Sequence, residues 1–208
     1  MPLFKKIAFS EATTIYICKI SETFDQLFSE ITLNEKSQIR LQSMKSEMHQ
    51  RGFLSVRKLL QDAGYSDFDL YYDASGKPHL LDNKFISISH SHEFSTIIIS
   101  NQPVGIDLEI IKEKVLRIAK KFMKLEVLEG LTEDEKMFKA TVIWGVKETV
   151  FKIKNQVGIS FPDHIFEDKF NLKDNKTNAQ LRFNNKIENF EIHFQQVEEY
   201  ALVWGFKK

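Results

Sequence analysis

The sequence of 208 residues has little of what marks several classes of protein. It has one cysteine and four prolines, and its 29 lysines and arginines equal its 29 aspartates and glutamates. A single cysteine forms no internal disulfide, which fits a reducing cytoplasm. No apolar run reaches the roughly 18 residues of a membrane span, and the first residues lack the apolar core of a signal peptide. We therefore expect a soluble, cytoplasmic protein without nucleic acid or membrane as partner.

The residues that are present are those of a folded globular chain. Of the sequence, 42% is hydrophobic and 28% is charged, and the eighteen phenylalanines predict a core rich in aromatic rings. Cys18 lies in the apolar stretch TTIYICKI and is expected to be a small buried core residue. At this length the chain can form one large domain or two small ones without covalent cross-links.

Hydrophobic periodicity predicts helices and strands in each half of the chain. Helical spacing indicates one long helix or two over residues 34–63, a basic helix over residues 112–124 and another helix over residues 137–154. The stretches FISISHS, FSTIIIS and VGIDLEI alternate like strands of one antiparallel meander. Further strands are predicted at TTIYICKI, FNL, AQLRF, FEIHFQQV and YALVWGF. The predicted class is α+β, and no long linker separates the halves.

Acidic residues occur at two places where they could meet. Strict alternation in VGIDLEI places Asp107 and Glu109 on one face of a strand, which is either a solvated face or part of a cation site. In WGVKETVFK, Glu148 and Lys152 share a helix face at i,i+4, which by itself is a common surface ion pair. If the two faces meet, three carboxylates form a site for a hard cation such as Mg²⁺. Lys152 would then bind a phosphate.

Two short stretches supply further candidates for ligand binding. GKPHL brings Lys77 and the rigid Pro78 to a turn, and ISISHS ends a strand with Ser89 and His90, which suit a phosphate or a base edge. A zinc site at His90 and His92 is disfavoured because no further histidine or cysteine is near.

In this order and at these separations, GKPHL, FISISHS, QPVGIDLE and WGVKETVFK resemble the marker stretches of the surfactin-type 4′-phosphopantetheinyl transferases. The resemblance covers roughly residues 34–161. It implies two similar α+β lobes, each a small antiparallel sheet packed with helix, and an active site in the cleft between them. The expected lobes are residues 1–103, holding the adenine and 3′-phosphate of coenzyme A, and residues 104–208, holding Mg²⁺, the catalytic residues and the carrier-protein surface.

The resemblance also implies a reaction and a set of residues. The 4′-phosphopantetheine arm of coenzyme A is transferred to a serine of an apo acyl or peptidyl carrier protein, and adenosine 3′,5′-bisphosphate is released. Asp107 and Glu148 match the principal Mg²⁺ ligands, with Glu109 near the metal. Glu148 is also the candidate base, and Glu126 is its rival. Lys152 matches a lysine on the coenzyme A phosphates. The remaining positions matched to coenzyme A binding are Lys36, Arg51, Lys77, Pro78, Ser89, His90 and Lys147.

Three positions depart from the family pattern: Gly145, Thr149 and Ser87. None removes a proposed catalytic group. A glycine inside a helix costs about 1 kcal/mol relative to alanine, so Gly145 predicts a close approach of backbone or ligand.

The stretch Lys112–Lys124 has six basic residues and one acidic residue in a chain that is neutral overall. We expect it to dock the carrier protein by electrostatic complementarity, although a solvated helix face has the same pattern. A chain with two lobes is expected to act as a monomer. Two other functions remain open: a metal-dependent phosphohydrolase that uses the same carboxylates, and a non-catalytic module that binds a carrier or nucleotide.

Overall fold

The computed structural model describes residues 3–208 and divides between Gln102 and Pro103 into two units, each with its own sheet and hydrophobic core. The predicted α+β class is confirmed, because antiparallel sheets and helices occur in both. Within this described range, no helix combines the length and apolar character that a membrane span requires.

The N-terminal unit packs helices on a four-stranded antiparallel sheet of order β1-β2-β6-β5, beside a small β3-β4 hairpin. Its elements are β1 (Leu3–Ser10), β2 (Thr13–Lys19), α1 (Phe24–Ser29), α2 (Glu35–Ser43), α3 (Glu47–Asp62), β3 (Leu70–Tyr72), β4 (Pro78–Leu80), β5 (Phe85–Ser91) and β6 (Phe94–Ser100). Cys18 is fully buried in this core, as predicted, and burial raises the pKa of its thiol to about 12.

The C-terminal unit lays one long helix across a five-stranded antiparallel sheet of order β7-β11-β10-β9-β8. Its elements are β7 (Val104–Ile110), α4 (Lys114–Ile118), α5 (Glu133–Lys154), α6 (Phe161–His164), β8 (Ile165–Glu167), β9 (Lys176–Phe183), β10 (Lys186–Val197) and β11 (Tyr200–Lys207). Short 3₁₀ helices lie at Ala119–Lys121, Leu125–Leu128 and Leu172–Asp174.

Helix α5 has clear start and stop signals in the sequence. Thr132 and Glu135 form a reciprocal capping box at its first turn, and Asn155 ends it in the left-handed conformation. Val142, Val146 and other apolar side chains are buried against the sheet. Helix α5 therefore begins four residues before the predicted start and ends where predicted.

Several sequence-based predictions of elements were wrong or incomplete. β7 does not join the meander with β5 and β6, because it pairs with β11 in the other sheet. FNL is not a strand, since its Asn171 caps a 3₁₀ helix. Strand β1 and the short elements α6 and β8 were not predicted. The stretch over residues 34–63 is two helices, α2 and α3, because Met44 is extended.

The basic stretch Lys112–Lys124 is not one helix. Only α4 is α-helical, and a 3₁₀ turn follows it. The backbone leaves helical geometry at Phe122 (φ −139°), where Phe122 and Met123 are both buried. All six basic side chains of the stretch are exposed.

Candidate active site

Asp107 lies on the face of β7 that α5 covers. A Cβ atom built on Gly145 of α5 would be 3.6 Å from Asp107 Oδ2, and Asp107 is 3% exposed. Gly105, two residues earlier on the same face, would carry its Cβ 2.4 Å from the carbonyl oxygen of Thr149 in α5. The interpretation of Asp107 as part of a solvated sheet face is therefore wrong.

Glycines allow this close packing of helix on sheet. A Cβ atom on Gly145 would lie 2.6 Å from Val203 Cγ2 on β11, well inside van der Waals contact. A close approach does occur at Gly145, but the neighbour is the Val203 side chain of β11 and not the predicted backbone or ligand. Thr149 is fully buried at the same contact and donates a hydrogen bond to the Val203 carbonyl oxygen at 3.3 Å.

We expect Gly105→Ala to lower the free energy of unfolding by about 1–3 kcal/mol, the usual range for overpacking. The added methyl group would meet a backbone carbonyl of α5, which cannot rotate away. Denaturant unfolding measures the change. The matched control is Gly52→Ala in α3, where the new Cβ would meet only the His90 ring at 3.8 Å. That variant should be unchanged or more stable by up to about 1 kcal/mol. Equal effects at both positions would contradict the close packing of α5 on β7.

Lys152 binds α5 to β7. Its Nζ donates to Asp107 Oδ1 at 2.7 Å and to the Ile106 carbonyl oxygen at 2.9 Å. The pair is shielded, because the side chain of Asp107 is 4% exposed and that of Lys152 is 26% exposed. Lys152 therefore neutralises a carboxylate that the sheet holds out of water, and it retains enough exposure to reach a ligand.

Glu148 lies one turn before Lys152 and is partly buried. Burial and, next, the charge of Asp107 raise the pKa of Glu148, while Lys152 opposes the rise. The two carboxylates are therefore near enough to repel one another. A divalent cation would relieve this repulsion, and Mg²⁺ typically binds one or two carboxylates and completes its octahedron with waters and substrate phosphates. The donors at Asp107 and Glu148 fit that ion.

The predicted third carboxylate is not gathered with the first two. Glu109 lies at the partly buried end of β7, and no group of three or more His, Cys, Asp or Glu side chains within residues 3–208 is arranged to hold a metal ion. The structure brings together two carboxylates, Asp107 and Glu148, and one lysine, Lys152.

Glu126, the rival base, is exposed on the 3₁₀ helix Leu125–Leu128. It lines a cavity of about 490 Å³ together with Lys124, Lys139 and Glu167. The walls thus carry charges of both signs, and Phe170 and Ile143 add apolar surface.

Lys147, which was predicted to bind coenzyme A, is instead buried against strand β8. It is 3% exposed, and its Nζ donates to the Ile165 carbonyl oxygen at 2.5 Å and to Glu167 Oε2, both on β8. The structure therefore separates Lys147 from the Asp107–Lys152 pair. Sequence reasoning missed Glu167 because the three-residue strand β8 has too short a pattern to detect.

Two candidates in the N-terminal unit lie near each other. The His90 ring packs 3.8 Å from the Cβ position of Gly52, and Arg51 is the preceding residue of α3. One Arg51 amino group donates to the Ile20 carbonyl oxygen at 3.3 Å, while Nε is buried without a hydrogen-bond partner among the described residues. An arginine with donor capacity left and a histidine beside it suit an anion. Ser89 is buried and points to the opposite face of β5.

The other candidates of this unit occupy a hairpin and a helix start. Lys77 donates its backbone N–H to Asp73 Oδ1 at 3.0 Å, in the turn that leads to Pro78, the first residue of β4. His79 also contacts the Asp73 carboxylate at 3.0 Å, and hydrogen bonds hold the pKa of Asp73 well below its usual range. Lys36 is exposed in the first turn of α2.

Known proteins match the part of the chain that contains Asp107, Glu148 and Lys152. Residues 103–204 match the sequence profile of the 4′-phosphopantetheinyl transferase superfamily. A curated relative, the 4′-phosphopantetheinyl transferase gsp of Aneurinibacillus migulanus, is 30% identical over 135 residues, which are 64% of this chain and 53% of the relative. The match thus spans about half the length of that relative.

Proposed function

We propose that the chain is a 4′-phosphopantetheinyl transferase, because residues 103–204 match the profile of that superfamily, and that it transfers the 4′-phosphopantetheine arm of coenzyme A to a serine of an apo carrier protein. Adenosine 3′,5′-bisphosphate is the other product. The observation that carries this proposal is the juxtaposition of Asp107, Glu148 and Lys152 in the matched region. Two acidic groups and a lysine are what a diphosphate with a bound cation requires.

In the proposed reaction, the serine oxygen attacks the phosphorus atom that bears the pantetheine arm. The bond from this phosphorus to the bridging oxygen breaks, and that oxygen leaves on the adenosine bisphosphate. Mg²⁺, when bound, supplies charge neutralisation at the diphosphate. Lys152 turns from Asp107 toward the phosphate oxygens, which gain charge in the transition state. Asp107, held on strand β7, would bind the metal ion.

The serine proton needs an acceptor, and Glu148 is the proposed one, directly or through a water molecule. Its raised pKa brings it closer to the operating pH, which favours proton transfer. Glu126 keeps its place as the second candidate because it is exposed and lines a cavity. Glu109 is proposed to lie near the metal without being a principal ligand.

For the 3′-phosphate of coenzyme A, we propose Arg51 and His90. Support comes from Arg51 Nε, which is buried without a hydrogen-bond partner among residues 3–208, and from the packing of His90 on the adjacent residue Gly52. Lys36, Lys77 and Pro78 remain proposed contacts to the same end of the molecule. For Ser89 the side chain points elsewhere, so any contact must come from its backbone.

Separating the nucleotide products chromatographically distinguishes the three candidate functions. With coenzyme A, Mg²⁺ and a panel of apo acyl and peptidyl carriers, the transferase forms adenosine 3′,5′-bisphosphate only when a suitable carrier is present. A phosphohydrolase would form it together with free 4′-phosphopantetheine, without any carrier. A binding module would leave coenzyme A intact in both conditions, and either of these results would overturn the proposal.

We also propose that Lys112–Lys124 docks the carrier, since its six basic side chains are exposed around buried Phe122 and Met123. Reversing the charge at Lys120 and Lys121 should raise the KM for the carrier protein about tenfold or more and leave the KM for coenzyme A unchanged, because complementary charges steer association. The control reverses Lys5 and Lys6 on β1, which are also exposed. Equal changes in the KM values for carrier protein and coenzyme A would contradict the docking role of Lys112–Lys124. An equal rise in the KM for carrier protein in the Lys5 and Lys6 control would contradict it as well.

A further inference from the structure

Helix α5 is bound to both edge strands of its sheet by the same kind of contact. Lys152 Nζ donates hydrogen bonds to the Ile106 carbonyl oxygen and to the Asp107 carboxylate, both on β7. Lys147 Nζ donates hydrogen bonds to the Ile165 carbonyl oxygen and to the Glu167 carboxylate, both on β8. β7 and β8 are the first and last strands of the order β7-β11-β10-β9-β8, so the two lysines hold the helix at opposite edges.

We propose that Glu167, acting through Lys147, is a positioning residue that sets the direction in which Glu148 points. The inference rests on the proposed function, because Glu148 is assigned there to the metal and the serine proton. Successive residues of an α-helix project about 100° apart, so a helix with one side chain fixed to β8 has the direction of its neighbour fixed as well. Lys147 and Glu148 are such neighbours.

We expect substrate binding to break the Lys152–Asp107 pair and to leave the Lys147–Glu167 pair intact. Lys152 is partly exposed and must leave Asp107 if it is to reach a phosphate and if Asp107 is to bind a cation. Lys147 is 3% exposed and Glu167 is 14% exposed, so solvent has little access to that pair. When the contact to β7 opens, the contact to β8 still holds the rotation of α5. A buried pair with hydrogen bonds of fixed geometry is suited to this task.

The chain offers a matched control on the same helix. Lys154 of α5 pairs with Glu188 of β10 at 2.6 Å, and Glu188 is 17% exposed, close to the value for Glu167. Glu188 also pairs with Lys207 of β11, so Glu188→Gln removes a carboxylate of similar burial and with it a contact of α5, on a residue outside the proposed machinery. Any loss of helix–sheet stability alone should occur in both variants.

The experiment measures Mn²⁺ binding by titration calorimetry in the presence of coenzyme A, at a temperature at which each variant is folded. Glu167→Gln should bind Mn²⁺ about tenfold or more weakly, the usual loss when the support of a metal ligand is removed, and Glu188→Gln should stay within about twofold of the unaltered protein. If Glu167→Gln does not fold, Lys147→Met combined with Glu167→Leu removes both buried charges together. This double variant should fold and show the same weak binding.

Equal Mn²⁺ affinities for the unaltered protein and the Glu167 variants would overturn the positioning role. Absence of Mn²⁺ binding in the unaltered protein would overturn both this role and the proposed metal site. Because binding is measured without turnover, failure of the transfer reaction leaves the outcome readable: Mn²⁺ binding without transfer to any carrier contradicts the proposed function alone.

Discussion

Glu148→Gln is expected to lower the rate of arm transfer by about 10²- to 10⁴-fold, the range for removing a proton acceptor or a group that stabilises transition-state charge. Gln keeps the size of the side chain and takes away one metal-binding charge and the basic site. The measurement is single-turnover transfer to a carrier at saturating coenzyme A. Near-normal turnover would remove Glu148 from the mechanism.

The same variant should be at least as stable as the unaltered protein without metal. Burial and Asp107 raise the pKa of Glu148 in the folded state, so the charged form is disfavoured by folding. A raised carboxyl pKa contributes stability below its unfolded value, and this contribution is lost as the pH rises through the folded pKa. At neutral pH, therefore, Glu148→Gln relieves a cost. A thermal midpoint equal to or above that of the unaltered protein, with transfer lost, separates catalysis from folding.

Asp67→Ala is expected to lower the free energy of unfolding of the N-terminal unit by about 3–5 kcal/mol, because it leaves a buried cation without its partner. Arg57 Nε donates to Asp67 Oδ1 at 2.9 Å, and both residues are buried. Asp67 also accepts hydrogen bonds from Ser37 Oγ and the Asn34 backbone, each at 2.9 Å. Denaturant unfolding followed by circular dichroism measures the loss.

The neighbouring residue of α3 supplies the control for this prediction. Lys58 pairs with Glu30 at 3.0 Å on the surface, and exposed pairs contribute little. Glu30→Ala should leave the unfolding midpoint unchanged. Arg57→Met combined with Asp67→Leu should be more stable than Asp67→Ala, since no buried charge is left alone. If Asp67→Ala were as mild as Glu30→Ala, the buried network would contribute little to the fold.

Long and regular segments of the fold could be predicted, and short ones could not. Helix α5 has 22 residues, a capping box and a left-handed end, so its pattern repeats over six turns. Strand β8 has three residues, too few for alternation to show. The partner of β7 was missed for a different reason: alternation shows which face of a strand is apolar, but pairing with β11 joins residues about 95 positions apart.

The candidate site shows the same limit at the level of side chains. The i,i+4 spacing of Glu148 and Lys152 predicted that they share one helix face. Lys152 was expected to bind a phosphate in addition to pairing with Glu148. Its partner Asp107 lies 45 residues away, so no local pattern could reveal the bond. The burial of Lys147 with Glu167 depends on the packing of α5 against an edge strand, which periodicity does not encode. Gly145 was the exception, because a glycine inside a strong helix calls for a steric reason.

The proposed transfer is tested by the intact mass of apo carrier proteins after incubation with the protein, coenzyme A and Mg²⁺. We expect at least one carrier of the panel to gain the mass of a single 4′-phosphopantetheine arm. The gain should disappear with Glu148→Gln and persist with Glu188→Gln. If all carriers keep their apo mass, with the protein folded and coenzyme A either untouched or hydrolysed, the protein is not a transferase for carriers of this panel.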